Sequence, residues 1–374
     1  MIERIHLTIL AGPMLPVPVP AAVVQALRSA QVTVQSGERS GFQLVFAISK
    51  NSAISKVLIP TGSFDPGIRV VLVATVNGMP TVLMDGIITR QEVGMSDQIG
   101  QSAVTVTGED LTVLMDLDQR TGEMFPPMPA MARVGWIIKN YLLYGMVPVL
   151  VPELFPDVPI PTQNIEFKDG TDLEYIQKLA KENGYVFYLD PGPFPGMSRA
   201  YFGPEIRIGV PQKALNIDMD QHTNVDSMSF SFDGLQRTQL AATIQEPFSK
   251  LSISIPLPEI SLLSPPLALR QAPSLRIKPL EGAAKDNPLL AMAKGLAGTS
   301  ESADAVTANG QLSVTRYGRV LQPRALVGVR GAGIGYDGLY YVKSVTHNLA
   351  PGSYTQSFTL ARNGLVSLTP VVVP

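Results

Sequence analysis

Cysteine is absent from the 374-residue chain, so neither a disulfide nor a thiolate metal site can form, and the chain suits assembly in a reducing cytoplasm. Charge is scarce as well. Asp, Glu, Lys and Arg make up 16% of the residues and the formal net charge is −2. A nucleic-acid ligand calls for a basic patch, and no Lys/Arg cluster is present, so no specific nucleic-acid binding is expected. Histidine occurs three times, at His6, His222 and His347, far apart and never as H-E-x-x-H. A G-x-S-x-G elbow is missing too, since "GERSG" at 37–41 carries its serine one place late. No catalytic, cofactor-binding or metal-ligating residue is assigned, and the chain is not expected to be an enzyme.

Long apolar runs are also lacking. No window reaches the ~18 unbroken apolar residues of a membrane span. The nearest, "LAGPMLPVPVPAAVV" and "GMVPVLVPELFPDVPIP", are cut by proline every few residues, which excludes a continuous helix. No membrane insertion is expected. Residues 1–12 carry Glu3, Arg4 and His6 without a basic leader before an apolar core, so a secretory signal is not expected either.

What the chain does have is apolar surface to hide. Hydrophobic residues make up 45% of it and its mean hydropathy is +0.18, a balance that fits an obligate oligomer with apolar interfaces. Residues 1–118 read as β: His6–Leu10, Gln31–Gln35 and Phe42–Ser49 are short apolar or alternating runs, and "IRVVLVATVNGMPTVLMDGIIT" is a hairpin about Asn77-Gly78. "GEDLTVLMDLD" closes this region as a short helix. Residues 119–204 change character to a small α/β insertion. "MARVGWIIKNYLLYG" has helical spacing with Gly145 as its stop. Thr171 and Glu174 form a capping box for a second helix ended by Asn183-Gly184, and a strand, Tyr185–Leu189, follows.

From 205 to 246 the chain returns to β, with Glu205–Ile208, Leu215–Met219, Ser227–Phe232 and Leu240–Gln245 as strands. Residues 247–310 form a Pro-rich arm and linker, with eight prolines between 247 and 300 and an apolar content that favours packing on other protein. Residues 311–374 complete the second β region.

Two motifs invite a ligand. "GVRGAGIGYDGLYYVKSVTH", residues 328–347, contains G-x-G-x-x-G at Gly333, Gly335 and Gly338, but a strand-forming run follows where a dinucleotide site needs a helix N-terminus. A glycine turn between antiparallel strands is the expectation. In "DMDQHTNVD", Asp218, Asp220, His222, Asn224 and Asp226 alternate and would share one face of a strand. Hard-cation binding and a solvated strand edge both stay open, although Thr223 and Ser229 stand where an EF-hand loop has glycine and glutamate. Asp116 with Asp118, and Asp172 with Glu174, read as helix-end charges.

A shift of 257 residues brings Pro66 onto Pro323, Val70 onto Val327, Leu72 onto Val329, Gly78 onto Gly335, Ile88 onto Val345 and Thr89 onto Thr346. With a three-residue shortening of the next loop, Val104 and Val106 fall on Phe358 and Leu360. The order of turn, strand, glycine turn, strand, loop and alternating strand recurs, as in a duplicated β module. In that module Val104, Val106, Phe358 and Leu360 face a core, while Thr105, Thr107 and Thr359 face a wetter side.

The segment 316–365, "RYGRVLQPRALVGVRGAGIGYDGLYYVKSVTHNLAPGSYTQSFTLARNGL", resembles the C-terminal end of the phage late-control protein D family, the tail or baseplate hub of contractile phages and contractile injection systems. "FKDGTDLEYIQKLAKENGYVFYLDPG" resembles its middle segment and "FDPGIRVVLVA" its first tube-like domain. The resemblance implies a mainly β chain with an α/β insertion and two tail-tube-like β-barrel domains. It further implies a homotrimer that adapts a hexameric inner tube protein to a trimeric spike among other baseplate proteins, without catalytic residues. It places the chain in the cytoplasm during assembly and then in a tail or injection particle. Some relatives continue into an oligonucleotide-fold domain and a β-helical spike, and with Pro374 as the last residue the spike is expected to be a separate polypeptide. A stand-alone β-rich binding or adhesion module is the alternative.

Overall fold

The computed structural model describes residues 5–49, 52, 54–98, 101–119, 122–153, 167–235, 237–245, 252–256, 265–273, 276–279 and 304–369. The chain is mainly β. The first region contributes β1 (His6–Gly12), β2 (Val17–Pro18), β3 (Leu27–Gln35), β4 (Gly41–Ala47), β5 (Arg69–Val76), β6 (Met79–Gly94) and β7 (Ala103–Asp110). The β5–β6 turn is tight because Asn77 and Gly78 both take positive φ, 52° and 79°, which matches the twist of the flanking strands. The middle supplies β8 (Met146–Leu150), β9 (Val186–Pro191) and β10 (Ser198–Gly203), with helices α2 (Ala130–Ile138) and α3 (Asp172–Asn183); a short α1 (Ala21–Ala26) precedes β3. Then follow β11 (Gln212–Asn216), β12 (Ser227–Phe232), β13 (Thr238–Gln245), β14 (Ser252–Pro256), β15 (Ala268–Gln271), β16 (Arg276–Pro279), β17 (Val306–Ser313), β18 (Leu326–Arg330), β19 (Gly338–Ala350), β20 (Ser353–Arg362) and β21 (Gly364–Ser367). Strand β17 starts inside the stretch assigned to the arm.

Strand order reveals a repeat longer than the one visible in the sequence. In the first unit the order across the sheet is β3-β4-β7-β6-β5-β1, and in the second it is β12-β17-β20-β19-β18-β11. Six strands correspond one to one, in the same chain order. The units differ at the last pair, antiparallel for β1–β5 and parallel for β11–β18.

The hydrogen bonds also correct the register of the repeat. Gly67 N–H donates to Ile88 O (2.8 Å) and Ile88 N–H to Ile68 O (2.9 Å); in the second unit Arg324 N–H donates to Val342 O (2.8 Å) and Val342 N–H to Ala325 O (2.9 Å). Ile88 therefore corresponds to Val342, not Val345. The three-residue deletion lies in the first hairpin, ahead of the strand, and the next loop is shorter by two more residues, so that Val106 corresponds to Phe358 rather than Val104. Both units carry a one-residue bulge immediately afterwards, at Thr89 and at Lys343.

The two units share one sheet. Residues 344–349 of β19 pair antiparallel with β3, from Ser344 opposite Gln35 to Leu349 opposite Ala30, and so join the units into a thirteen-stranded sheet. One apolar core underlies both, drawing Val32, Leu44 and Val106 from the first unit and Val345, Phe358 and Leu360 from the second.

The α/β unit packs on the first region through a separate core, in which Ile87, Leu111 and Met115 meet Val134, Ile137, Leu173 and Ile176. Helix α3 begins with the expected capping box, Thr171 Oγ1 accepting from Glu174 N–H and Glu174 Oε2 accepting from Thr171 N–H, and ends at Gly184 with φ 62°. Helix α2 tightens into a 3₁₀ segment, Lys139–Tyr144, before Gly145 stops it at φ 73°. Residues 205–208 do not form the expected strand. They sit between Pro204 and Pro211, and the Arg207 side chain is taken into an ion network instead.

Candidate assembly surfaces

The alternation of the strands sorts the large sheet into two faces. Towards the core lie Val32, Phe42, Leu44, Val104, Val106, Phe358 and Leu360, all buried. On the opposite face a row runs Gln31, Gln43, Thr107, Arg90 across the first unit and Ser229, Asn309, Thr359, Ser344 across the second. This face is dominated by hydroxyls and amides. Its members bond to each other across strands: Thr33 Oγ1 with Thr346 Oγ1 at 3.1 Å, Gln31 Nε2 to Asn348 Oδ1 at 3.2 Å, and Thr359 Oγ1 to Asn309 Oδ1 at 2.9 Å. The Arg90 guanidinium pairs with Glu92 two residues on, which cancels their charge locally. Thr105, Thr107 and Thr359 lie on this half-exposed face, as alternation required.

Where the units meet, buried charge holds the geometry. Arg207 pairs with Asp304 and with Glu205 (2.6 Å), and Lys343 reaches Asp304 at 2.8 Å. Burial alone pushes the Asp304 carboxyl up, but Arg207 and Lys343 outweigh it and hold the group below its ordinary value. For Arg207 burial works downward, and Asp304 with Glu205 reverses it, so the guanidinium stays charged. Arg324, at φ 60°, donates to Gln35 O (2.6 Å) and Leu189 O (3.3 Å) and stacks on Tyr188 at 3.9 Å. It thus ties β3, β9 and the second unit together. Arg69 does the same beneath the α/β unit, with a two-pronged pair to Asp85 (2.7 Å each) and bonds to Met14 O (3.1 Å) and Gly196 O (3.0 Å). Sequence reasoning missed these groups. The available signal was a lone Arg69 and a lone Asp85 on the two arms of an otherwise apolar hairpin.

Asp172 lies in the first turn of α3, as expected of a helix-end charge, and is buried there, accepting from Lys168 and from Tyr141 Oη (2.7 Å). Asp116 accepts from Arg39 and from Thr171 Oγ1 (2.7 Å), with Arg39 the main reason its carboxyl sits below the ordinary value. Asp110 moves the other way. Burial raises it, in spite of bonds from Thr112 and from Ser40 N–H.

The glycine motif is a turn clamped from below. Arg362 donates to Gly335 O (2.7 Å) and Asp337 O (2.9 Å), and Asp337 Oδ1 accepts from Ala332 N–H (2.7 Å). Gly333 and Gly338 have φ of 90° and 119°, and a strand follows, with no helix N-terminus for a phosphate. The aspartate cluster is a turn as well, not a strand face. Asp218 and Asp220 take φ near 50°, Asp220–His222 is a 3₁₀ turn, and Asn224 bridges Asn216 N–H and Ala214 O. Asp226 leaves the cluster to pair with Arg316 at 2.8 Å. Among the described residues no group of three or more His, Asp or Glu is gathered as a metal site, and no helix is long and apolar enough to cross a membrane.

No protein-family model matches the sequence, and no curated protein matches it. The fold, in contrast, is shared with solved structures. The chain superposes on the tail protein from Neisseria meningitidis MC58 with a TM-score of 0.64 at 15% identity, over 97% of this chain and 98% of that one. The 43 kDa tail protein of prophage MuSo2 from Shewanella oneidensis gives 0.62 at 15% identity, over 96% and 99%. The E. coli c3393 protein, described as a component of the type VI secretion system with structural similarity to T4 bacteriophage tail proteins gp27 and gp5, gives 0.52 at 12% identity, over 93% and 77%. The fold is that of phage tail proteins.

Proposed function

We propose that the chain is a structural hub of a contractile phage tail or injection-system baseplate, a homotrimer that adapts a hexameric inner tube to a trimeric spike. The observation that carries this reading is the duplication: one chain holds two six-stranded units of the same order, set side by side in one sheet. Three copies then present six similar units to a six-fold tube and keep a three-fold face for a trimeric partner. In this reading residues 1–118 are the first tube-like domain, 119–204 the α/β insertion, and 205–246 with 311–374 the second tube-like domain, to which the start of β17 adds residues 306–310. The hydroxyl- and amide-rich face lines the channel. Such a lining offers passing cargo neither an apolar patch to stick to nor a strong net charge.

In this reading the chain works without catalysis or cofactor, because among the described residues the strongly perturbed titratable groups are buried in ion pairs and hydrogen bonds and do not converge on an open cleft. It assembles in the cytoplasm and becomes part of the particle. The fold likeness to tail proteins over nearly the full length of both chains supports this assignment. Native mass spectrometry of the purified chain, with electron cryo-microscopy of the particle, tests it. The expected result is a trimer seen as a six-unit ring between tube and spike. A protein that stays monomeric, both pure and in the particle, would refute it.

A further inference from the structure

Among the described residues, the duplication leaves two strand edges without the partners that their counterparts have. Within the chain, β3 of the first unit lies on residues 344–349 of β19 in the second. The counterpart of β3 is β12, and the counterpart of residues 344–349 is 90–95, which covers the end of β6 and Met95. Among the described residues β12 is bonded along one edge only, to β17, and residues 90–94 only to β7.

The register of the missing pair can be read from the existing one. Arg90 and Ser344 are the first paired residues after the bulges, and the rows Arg90–Thr107–Gln43–Gln31 and Ser344–Thr359–Asn309–Ser229 make Ser229 the counterpart of Gln31. Ser344 pairs with Gln35, His347 with Val32 and Leu349 with Ala30. Transferred, Arg90 lies opposite Asp233, Val93 opposite Phe230 and Met95 opposite Met228.

The chemistry at these positions fits. Val93 is 45% exposed, Met95 76% and Phe232 40%, at places whose counterparts in the internal seam are buried: His347, Leu349 and Val34. Arg90 meets a carboxylate. Both strands are exposed edges that a soluble protein rarely leaves bare.

We propose that β12 of one copy of this chain pairs antiparallel with residues 90–95 of a second copy, in the register of the internal β3–β19 seam. The contact is head-to-tail, so it closes as a ring or runs on as a fibre. Three copies closing it gives six units joined by six equivalent seams, a closure that rests on the trimer reading above.

The absence of cysteine makes the test clean. Glu92→Cys and Ser231→Cys fall directly opposite each other on the polar face, within the Cα separation of about 4.4–6.8 Å that a disulfide tolerates. Oxidation of the double variant should yield covalent dimer and trimer on a non-reducing gel. Each single variant should yield neither, and Glu92→Cys with Ser227→Cys, four residues out of register, should link at least about tenfold less. In parallel, Arg90→Asp should weaken self-association about tenfold, the effect of ~1.4 kcal/mol, and adding Asp233→Arg should restore it. A native trimer whose 92/231 pair stays unlinked, with no charge-swap rescue, overturns the seam and leaves the trimer standing. A ladder running past three supports the seam and overturns the three-copy closure. A chain that stays monomeric and unlinked overturns both.

Discussion

Acid should open the internal seam through His347. This residue lies on β19 opposite Val32 of β3, is 2% exposed, and its Nδ1 meets Tyr354 Oη at 2.8 Å and Gln356 Nε2 at 3.2 Å. Burial pushes its pKa down to about 3. The hydrogen bonds oppose protonation as well. The Gln356 amide is locked by Leu321, its Oε1 accepting from Leu321 N–H and its Nε2 donating to Leu321 O (both 2.9 Å), so Nδ1 faces a donor and must accept. The unfolded chain binds a proton at His347 below about pH 6.5, while the folded chain does not until about pH 3. The unfolded state therefore holds more protons throughout that window, and stability falls as pH falls through it. At pH 5 the loss amounts to about 2 kcal/mol relative to neutral pH, a sizeable part of the ~5–15 kcal/mol of a typical domain. Denaturant melts of the wild type and of His347→Gln at pH 7.5 and 5.0 measure it. The wild type should lose about 2 kcal/mol more than the variant between the two pH values, since carboxylates and the other two histidines are common to both. Equal losses, or an imidazole that titrates near its ordinary value in the folded protein, would refute the reasoning.

Two further outcomes follow from local geometry. Thr171→Ala removes the α3 cap and the bond to Asp116, and should lower the unfolding free energy by about 1–2 kcal/mol while leaving assembly intact; loss of assembly at unchanged melting temperature would make the helix an interface. Gly338→Val demands a side chain at φ 119° and drives its Cβ into Ser367, so soluble yield and thermal midpoint should collapse, whereas Gly333→Ala, at φ 90° over open space, should cost only about 1 kcal/mol; comparable melts for the two variants would disprove this account of the turn.

Elements decided by near neighbours were legible in the sequence. The Asn77-Gly78 turn, the Thr171/Glu174 box and the Gly145 and Gly184 stops depend on φ preferences and on hydrogen bonds spanning three or four residues. Alternation likewise assigned Val104, Val106, Phe358 and Leu360 to the core and Thr105, Thr107 and Thr359 to the other face. The duplication was half visible, because its two copies pack the same space with different residues. Phe42 fills the room above Gly108 in the first unit, while in the second Leu360 stands opposite Ala308, and Phe358 covers Gly310 where Leu44 and Val106 share the volume. Summed volume was kept and identity was not. Only the tertiary structure decided that β3 lies on β19, that the three-residue deletion falls in the hairpin, and that Arg69, Arg207 and Arg324 are buried at junctions. A strand's period of two states which residues share a face, but its backbone bonds accept any neighbour, and the neighbour is chosen by long-range burial of the whole core.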